Sequence, residues 1–203
     1  MFRFMVAILL CLSGSPHGLA LEWVAFGDLR GHVEPCGCDP ATDLGGLRRL
    51  SNHVQVSRIK HPEALILSVG NLYSYDNPVK GDTAKDDAIG QAITAIAPHA
   101  ALFNVAENAA FERGTLASSG IPWVLSNPAK TRSKLPTQAK VDLSVATILG
   151  YVFGDDAKFA RKIDDTLITQ WRHQVQERQR PAILLFAGPT KDLDRIARAK
   201  IFD

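Results

Sequence analysis

Short apolar runs alternate with segments of helical periodicity along most of this chain. Strands buried in a sheet are predicted from the apolar, β-prone runs at residues 21–26, 64–69, 101–105, 122–125, 145–149 and 182–187. Amphipathic spacing and helix-end signals predict helices from residue 44 through Val54 and at residues 83–97, 164–176 and 190–199. Strands that alternate with helices indicate an α/β layered domain.

Polar residues follow several of the predicted strands. Asp28 comes after the first run, Asn71 after the second, and the segment 104–114 after the third. In open α/β sheets, ligands collect beyond the carboxyl ends of the strands. We therefore expect Asp28, Asn71 and this segment to converge on one edge, where any chemistry would take place.

The first twenty residues have the three-part organisation of a secretory signal peptide. Arg3 precedes an apolar run at residues 4–12, and small residues lead to Gly18-Leu19-Ala20. The apolar run is about half of the roughly 20 residues that a membrane-spanning helix needs, so no membrane span is expected. The sequence predicts cleavage near Ala20, a mature domain at residues 21–203, and a periplasmic or secreted location.

Composition narrows the class of protein further. The 203 residues are 46% hydrophobic and 22% charged, as in an ordinary single globular domain. Lys and Arg total 23 against 21 Asp and Glu, with no cationic block, so nucleic acid is not expected as a partner. Cys11 would leave with the signal peptide, and Cys36 and Cys38 would enter a compartment where disulfides persist.

Four segments resemble motifs of one enzyme family. Residues 27–35 contain Gly-Asp-Leu-Arg-Gly-His, which resembles the opening Asp-x-His-Gly motif of the 5'-nucleotidase branch of the calcineurin-like metallophosphatases. Residues 67–72 resemble their Gly-Asp motif, residues 107–114 their Gly-Asn-His-Glu-Phe-Asp-x-Gly motif, and residues 121–127 the strand that follows. The resemblance implies a layered metallophosphatase-like αββα architecture, truncated relative to the full family domain.

The resemblance breaks down at the metal ligands. Members of this family hold two divalent metals that polarise a phosphoryl group and generate hydroxide. Asp28 and Asn108 match ligand positions, but Arg30 stands at a histidine position, Asn71 at the bridging carboxylate and Ala109 at the catalytic histidine. A cation and an amide in these places argue against a binuclear Mn, Zn or Fe centre. We therefore expect a catalytically degenerate member.

The loop after the first strand carries the leading functional candidates. His32, Glu34, Cys36 and Cys38 lie within seven residues of one another. A disulfide between cysteines one residue apart closes a small strained ring that is easily reduced, which favours redox exchange over a structural role. Arg30 nearby would favour the thiolate form. The expected partner is a periplasmic redox protein or another protein that contacts this loop.

Other interpretations of the same residues stay open. Cys36, Cys38 and His32 suit copper or zinc, which would make the chain a periplasmic soft-metal-binding protein. Asp28 and Asn108 are remnants of a site that would support residual metal-dependent phosphoesterase or 5'-nucleotidase activity. Alternatively, the cysteines only pack or form a passive bridge. Arg30, Glu34 and Asn71 are candidate binding residues under any of these interpretations.

Overall fold

The computed structural model describes residues 5–11, 21–34, 46–75, 83–117, 120–129, 135–153, 158–176 and 180–201. Cys36 and Cys38 lie outside these residues. Within the described chain, the strands are β1 (Met5–Cys11), β2 (Trp23–Phe26), β3 (Leu65–Ser68), β4 (Ala100–Leu102), β5 (Trp123–Val124), β6 (Val141–Asp142), β7 (Thr147–Val152) and β8 (Ala182–Gly188). The helices are α1 (Leu47–Lys60), α2 (Ala84–Ile96), α3 (Val105–Arg113), α4 (Asp165–Gln176) and α5 (Thr190–Arg198).

The chain divides into two compact units, and the first comprises Leu21–Pro122. In this unit β2, β3 and β4 lie side by side in that order and run parallel. Trp23 pairs with Leu65 and Phe26 with Ser68, so the strands end level with one another. The parallel register brings the segments after the three strands to one edge, as expected from the sequence.

The core of the first unit lies on the central strand and the helices that cover it. All four residues of β3 are buried, which accounts for its continuous apolar run. Helix α1 buries Leu47 and Val54, and α2 buries one face that includes Ile89, Ile93 and Ile96. This buried core holds the ends of the strands in place.

The second unit contains β1 and the chain from Trp123 onward. Its sheet has the order β1-β8-β7-β6, with β7 and β8 parallel and both outer strands antiparallel to their neighbours. Tyr151 of β7 stacks on Phe186 of β8 at 5.4 Å and meets the edge of Trp171 of α4 at 6.0 Å. These three buried rings form the centre of its core.

Strand β1 coincides with the apolar run that the sequence assigns to a signal peptide. Its seven residues pair antiparallel with β8, from Met5 opposite Gly188 to Cys11 opposite Ala182. An apolar run of this length is equally typical of a buried strand and of the centre of a signal peptide. Removal of residues 1–20 therefore stays a prediction. No described helix has the length and apolar character that a membrane crossing requires.

The structure adds α3 and β6 to the predicted elements, and it starts β7 later than expected. The buried face of α3 consists of Ala106, Glu107 and Ala110, so the helix has no strong apolar period. Strand β6 has two residues, too few to show an alternation. Val145 precedes β7 and is 42% exposed, because a turn joins Leu143 N–H to the Ala146 carbonyl at 2.9 Å.

We expect Trp171→Ala to destabilise the second unit strongly. Trp171 is fully buried, and its Nε1 donates to the Ser126 carbonyl at 3.3 Å. Loss of a buried aromatic ring costs about 3–5 kcal/mol in the free energy of unfolding, which urea denaturation would measure. The control is Ile59→Ala, because Ile59 is 80% exposed and should change stability by less than about 0.5 kcal/mol. Equal losses in both variants would contradict this prediction.

Candidate functional site

The segments after β2 and β3 lie alongside each other and continue the pairing of these strands. Asp28 N–H donates to the Gly70 carbonyl at 2.9 Å, Arg30 N–H to the Asn71 carbonyl at 2.8 Å and Gly31 N–H to the Leu72 carbonyl at 3.0 Å. These three bonds join the two loops through main-chain atoms. The side chains of Asp28, Arg30 and Asn71 are therefore brought to one place by the backbone itself.

Left-handed backbone conformations recur in both loops. Asp28, Arg30 and Asn71 have φ angles of 59°, 50° and 57°. Asp and Asn tolerate this region better than other side chains, whereas for Arg it costs on the order of 1–2 kcal/mol. Gly70 also has a positive φ, and a Cβ there would lie 2.8 Å from the Leu102 carbonyl. Strained residues persist when the surrounding contacts over-determine them, and they cluster at functional sites.

One hydrogen-bonded network connects the polar side chains at this edge. Arg30 donates to both oxygens of Asp28, from Nε at 2.8 Å and from Nη2 at 3.2 Å. Asn71 Nδ2 donates to Asp28 Oδ1 at 3.3 Å, and Asn104 Nδ2 donates to Asn71 Oδ1 at 3.0 Å. Tyr75 donates its hydroxyl proton to the same Asn71 oxygen. We call these five residues the strand-end network.

Two groups of the strand-end network, Arg30 and Tyr75, have raised pKa values. The hydrogen bond and the charge of Asp28 raise the pKa of Arg30 further, so its guanidinium stays charged. Partial burial raises the pKa of Tyr75 to about 12, which keeps its hydroxyl a donor at neutral pH. The network therefore contains one carboxylate and one cation, and its formal charge is zero.

Glu107 lies beneath the strand-end network and holds its backbone. Its fully buried carboxylate accepts N–H bonds from Leu72 at 2.8 Å, Asn104 at 3.0 Å and Asn71 at 3.2 Å. Burial raises the pKa of Glu107 to about 7, although the three N–H donors oppose that shift. One side chain thus links the loop after β3 to the start of α3.

The structure places some of the predicted site residues together and others apart. Asp28, Arg30 and Asn71 meet in the strand-end network, whereas His32 and Glu34 lie further along the first loop with exposed side chains. Asn108 lies inside α3, and its Oδ1 is buried with no hydrogen-bond partner among the described residues. Cys36 and Cys38, for which redox and metal roles were predicted, fall outside the described residues.

Sequence reasoning did not single out Asn104, Tyr75 or Glu107. Asn104, four residues before the asparagine matched to the family motif, is the one that contacts Asn71. Asn104 and Glu107 form a capping box at the start of α3, and Asn-x-x-Glu is the signal that could have located both. Tyr75 carries no comparable signal, since a tyrosine in a loop has many uses.

Comparison by sequence and comparison by structure give different results for this chain. No family model matches the chain, and no curated protein matches it by sequence. Among solved structures, a calcineurin-like phosphoesterase from Bacillus subtilis is similar, with a TM-score of 0.55, 18% identity, and coverage of 78% of this chain and 59% of that one. An NAD nucleotidase from Haemophilus influenzae has a TM-score of 0.60, 13% identity, and coverage of 79% and 32%.

The chain has a metallophosphatase-like fold. The α/β class predicted from the sequence is confirmed, and the chain spans 59% and 32% of the length of these two structures. At 18% and 13% identity, the likeness establishes the fold alone. The chemistry must therefore be argued from the residues present.

The strand-end network does not fit the metals that this fold implies. Asp28 contacts a guanidinium, and the described residues contain no group of three or more His, Cys, Asp or Glu able to hold a metal. Repulsion between two unit charges about 4 Å apart is roughly 4 kcal/mol near a protein surface, and it doubles for a dication. The cation of Arg30 therefore opposes any divalent ion at Asp28.

Glu107 should give the protein a measurable pH dependence of stability. Its pKa of about 7 when folded exceeds the 4.5 of a free glutamate. The folded state therefore binds the proton more tightly, so the stabilisation is complete below about pH 4.5 and is lost as the pH rises through about 7. We expect the free energy of unfolding to fall by up to about 3 kcal/mol between pH 4.5 and 8.

Glu107→Gln should remove this component of the pH profile, because glutamine does not titrate. Urea denaturation at several pH values would measure the profile of each protein. The control is Glu63→Gln, since Glu63 is exposed. Identical slopes for the wild type and Glu107→Gln would show that Glu107 does not titrate in this range.

Proposed function

We propose that this chain is an exported, non-hydrolytic protein of metallophosphatase-like fold whose Cys36 and Cys38 exchange electrons with the thiols or disulfide of a partner protein. The observation that carries the non-hydrolytic part is the ion pair between Arg30 and Asp28, with atoms 2.8 Å apart. A carboxylate bound to a guanidinium does not serve as the first ligand of a metal pair. We therefore assign the reaction of this protein to Cys36 and Cys38.

The described residues before and after the cysteine segment are hydrogen-bonded to each other and to the loop after β3. Leu47 N–H donates to the Val33 carbonyl at 3.1 Å, which joins the chain before the cysteines to the start of α1. Two residues before Val33, Gly31 is bonded to Leu72 beside the strand-end network. The described residues that flank the cysteine segment, Val33 and Leu47, are therefore joined to each other near the edge where the strands end.

Helix α1 begins one residue after the described chain resumes, and its first turn carries positive charge. Its first turn has no acidic residue, and Arg48 is exposed there. A helix N-terminus and nearby cations favour a thiolate over a thiol. This matters because Arg30, the cation considered from sequence alone, is neutralised by Asp28. Support for a reactive thiolate therefore comes from α1.

The proposed reaction is a thiol–disulfide exchange. The thiolate of one cysteine attacks a sulfur of the partner's disulfide, forms a mixed disulfide and releases one partner thiolate. The second cysteine, as thiolate, then attacks its neighbour, closes the Cys36–Cys38 bond and releases the other partner thiolate. Two electrons pass from the cysteine pair to the partner, and the reverse sequence returns them.

Soft-metal binding is the second candidate. His32 is exposed and lies four residues before Cys36. His53 lines a cavity of about 320 Å³ together with Gly46, where the described chain resumes after the cysteines. Two thiolates with one or two imidazoles would suit Cu(I) or Zn(II). This candidate predicts about one ion per chain, bound only when the cysteines are reduced.

Redox titration tests the exchange reaction. We expect the two cysteines to titrate as one two-electron couple at roughly −120 to −230 mV, the range of the more oxidising thiol–disulfide exchange proteins. Cys36→Ser and Cys38→Ser should each abolish the couple, because neither variant can close the bond. Thiol alkylation followed by mass spectrometry in a series of redox buffers would measure it.

The matched control is Ser51→Ala, which changes a residue of α1 without adding or removing a thiol and should leave the potential unchanged. A potential below about −300 mV would indicate a structural bond and contradict the exchange reaction. Stoichiometric Cu(I) or Zn(II) in the purified protein would favour the metal-binding candidate instead. Turnover of a chromogenic phosphoester with added Mn²⁺ would contradict the non-hydrolytic part.

Export is tested by the intact mass of protein isolated from the periplasm of an expressing cell. We expect a mature chain that begins at Leu21, because signal peptidase cleaves after small residues such as Ala20. Ala20→Lys should block processing and leave the precursor, whereas Ser51→Ala should be processed normally. Recovery of the full 203-residue chain from the soluble periplasm would contradict the prediction.

A further inference from the structure

The oxygen atoms at the strand ends are already used as hydrogen-bond acceptors. Asp28 Oδ1 accepts from Arg30 Nε at 2.8 Å and from Asn71 Nδ2 at 3.3 Å, and Asp28 Oδ2 accepts from Arg30 Nη2 at 3.2 Å. Asn71 Oδ1 accepts from Tyr75 and from Asn104, and Asn104 Oδ1 accepts from Val105 N–H at 2.7 Å. A metal ion at Asp28 would compete with these donors and would meet the charge of the guanidinium.

The loops also keep their conformation through protein contacts alone. Three main-chain bonds join the loop after β2 to the loop after β3, and Glu107 holds the second loop from beneath. The left-handed Asp28 and Arg30 are further fixed by their mutual ion pair. Metals in such a fold bring charged ligands from several strand ends together; here a guanidinium and two amides make those connections.

We propose that Arg30 replaces the metal pair as the cation that organises the strand ends, and that this replacement makes the edge independent of divalent ions. The fork of the guanidinium satisfies both oxygens of Asp28, and its charge balances the carboxylate. Asn71 completes the replacement, because an amide both donates to Asp28 and accepts from Asn104. A carboxylate at position 71 could only accept.

This inference is separate from the redox proposal, because it concerns the strand-end network and not the cysteines. It accounts for the joint presence of Arg30 and Asn71: each changes a ligand position, and together they form a neutral, closed network. The inference therefore predicts that both residues must change before a metal can bind.

The test compares wild type with the double variant Arg30→His plus Asn71→Asp, in the full chain with and without EDTA. Wild type should show the same melting temperature with EDTA and with excess Mn²⁺, and no stoichiometric Mn²⁺ by elemental analysis. The double variant should bind about one Mn²⁺ per chain and melt at a higher temperature when Mn²⁺ is added. Calorimetric titration with Mn²⁺ alone measures the gain.

Arg30→Gln is the matched control, since it removes the cation without supplying an imidazole. It should melt at a lower temperature than wild type, equally with EDTA and with Mn²⁺. Two tightly held Mn²⁺ ions in wild type, or a folded double variant with no response to Mn²⁺, would overturn the inference. If the double variant is unfolded without metal, refolding on addition of Mn²⁺ supports the inference, and failure to refold counts against it.

Discussion

The carboxylate of Glu107 is the interaction on which the candidate site depends. Parallel strands that end together leave main-chain N–H groups at one edge, and buried donors without partners are costly. Glu107 accepts from Asn71, Leu72 and Asn104, and thereby satisfies the end of β3 and the start of α3 together. Asn71, whose backbone is held in this way, contacts both Asp28 and Asn104.

This chain combines a metallophosphatase-like fold with strand-end side chains that pair with one another. The likeness to two solved phosphoesterase and nucleotidase structures lies in the strands and helices, at 18% and 13% identity. At the strand ends, the charge that opposes Asp28 is a guanidinium. A covalently attached cation there balances the carboxylate, so the fold alone is a poor guide to activity.

The strongest sequence patterns located the strands, but they did not locate the whole site. The continuous apolar runs of β3, β7 and β8 reflect burial on both faces, so those strands were predictable to within a few residues. Helix α3 was missed because its buried face is Ala, Glu and Ala. The resemblance puts the family's asparagine at Asn108, inside α3, whereas Asn104 of the capping box lies at the strand end. The contacts of Tyr75 depend on tertiary structure and leave no sequence pattern.

The polar side chains of the strand-end network bond mainly to one another. Every described side-chain oxygen of Asp28, Asn71 and Asn104 already accepts a hydrogen bond, and the cation of Arg30 is committed to Asp28. Such a network is suited to hold backbone in place and poorly suited to activate water or polarise a substrate. The Val33–Leu47 hydrogen bond joins the described residues before and after the segment that contains Cys36 and Cys38. For the exchange reaction that we propose, fixed backbone at Val33 and Leu47 is an advantage, because the incoming sulfur must line up with the bond it breaks.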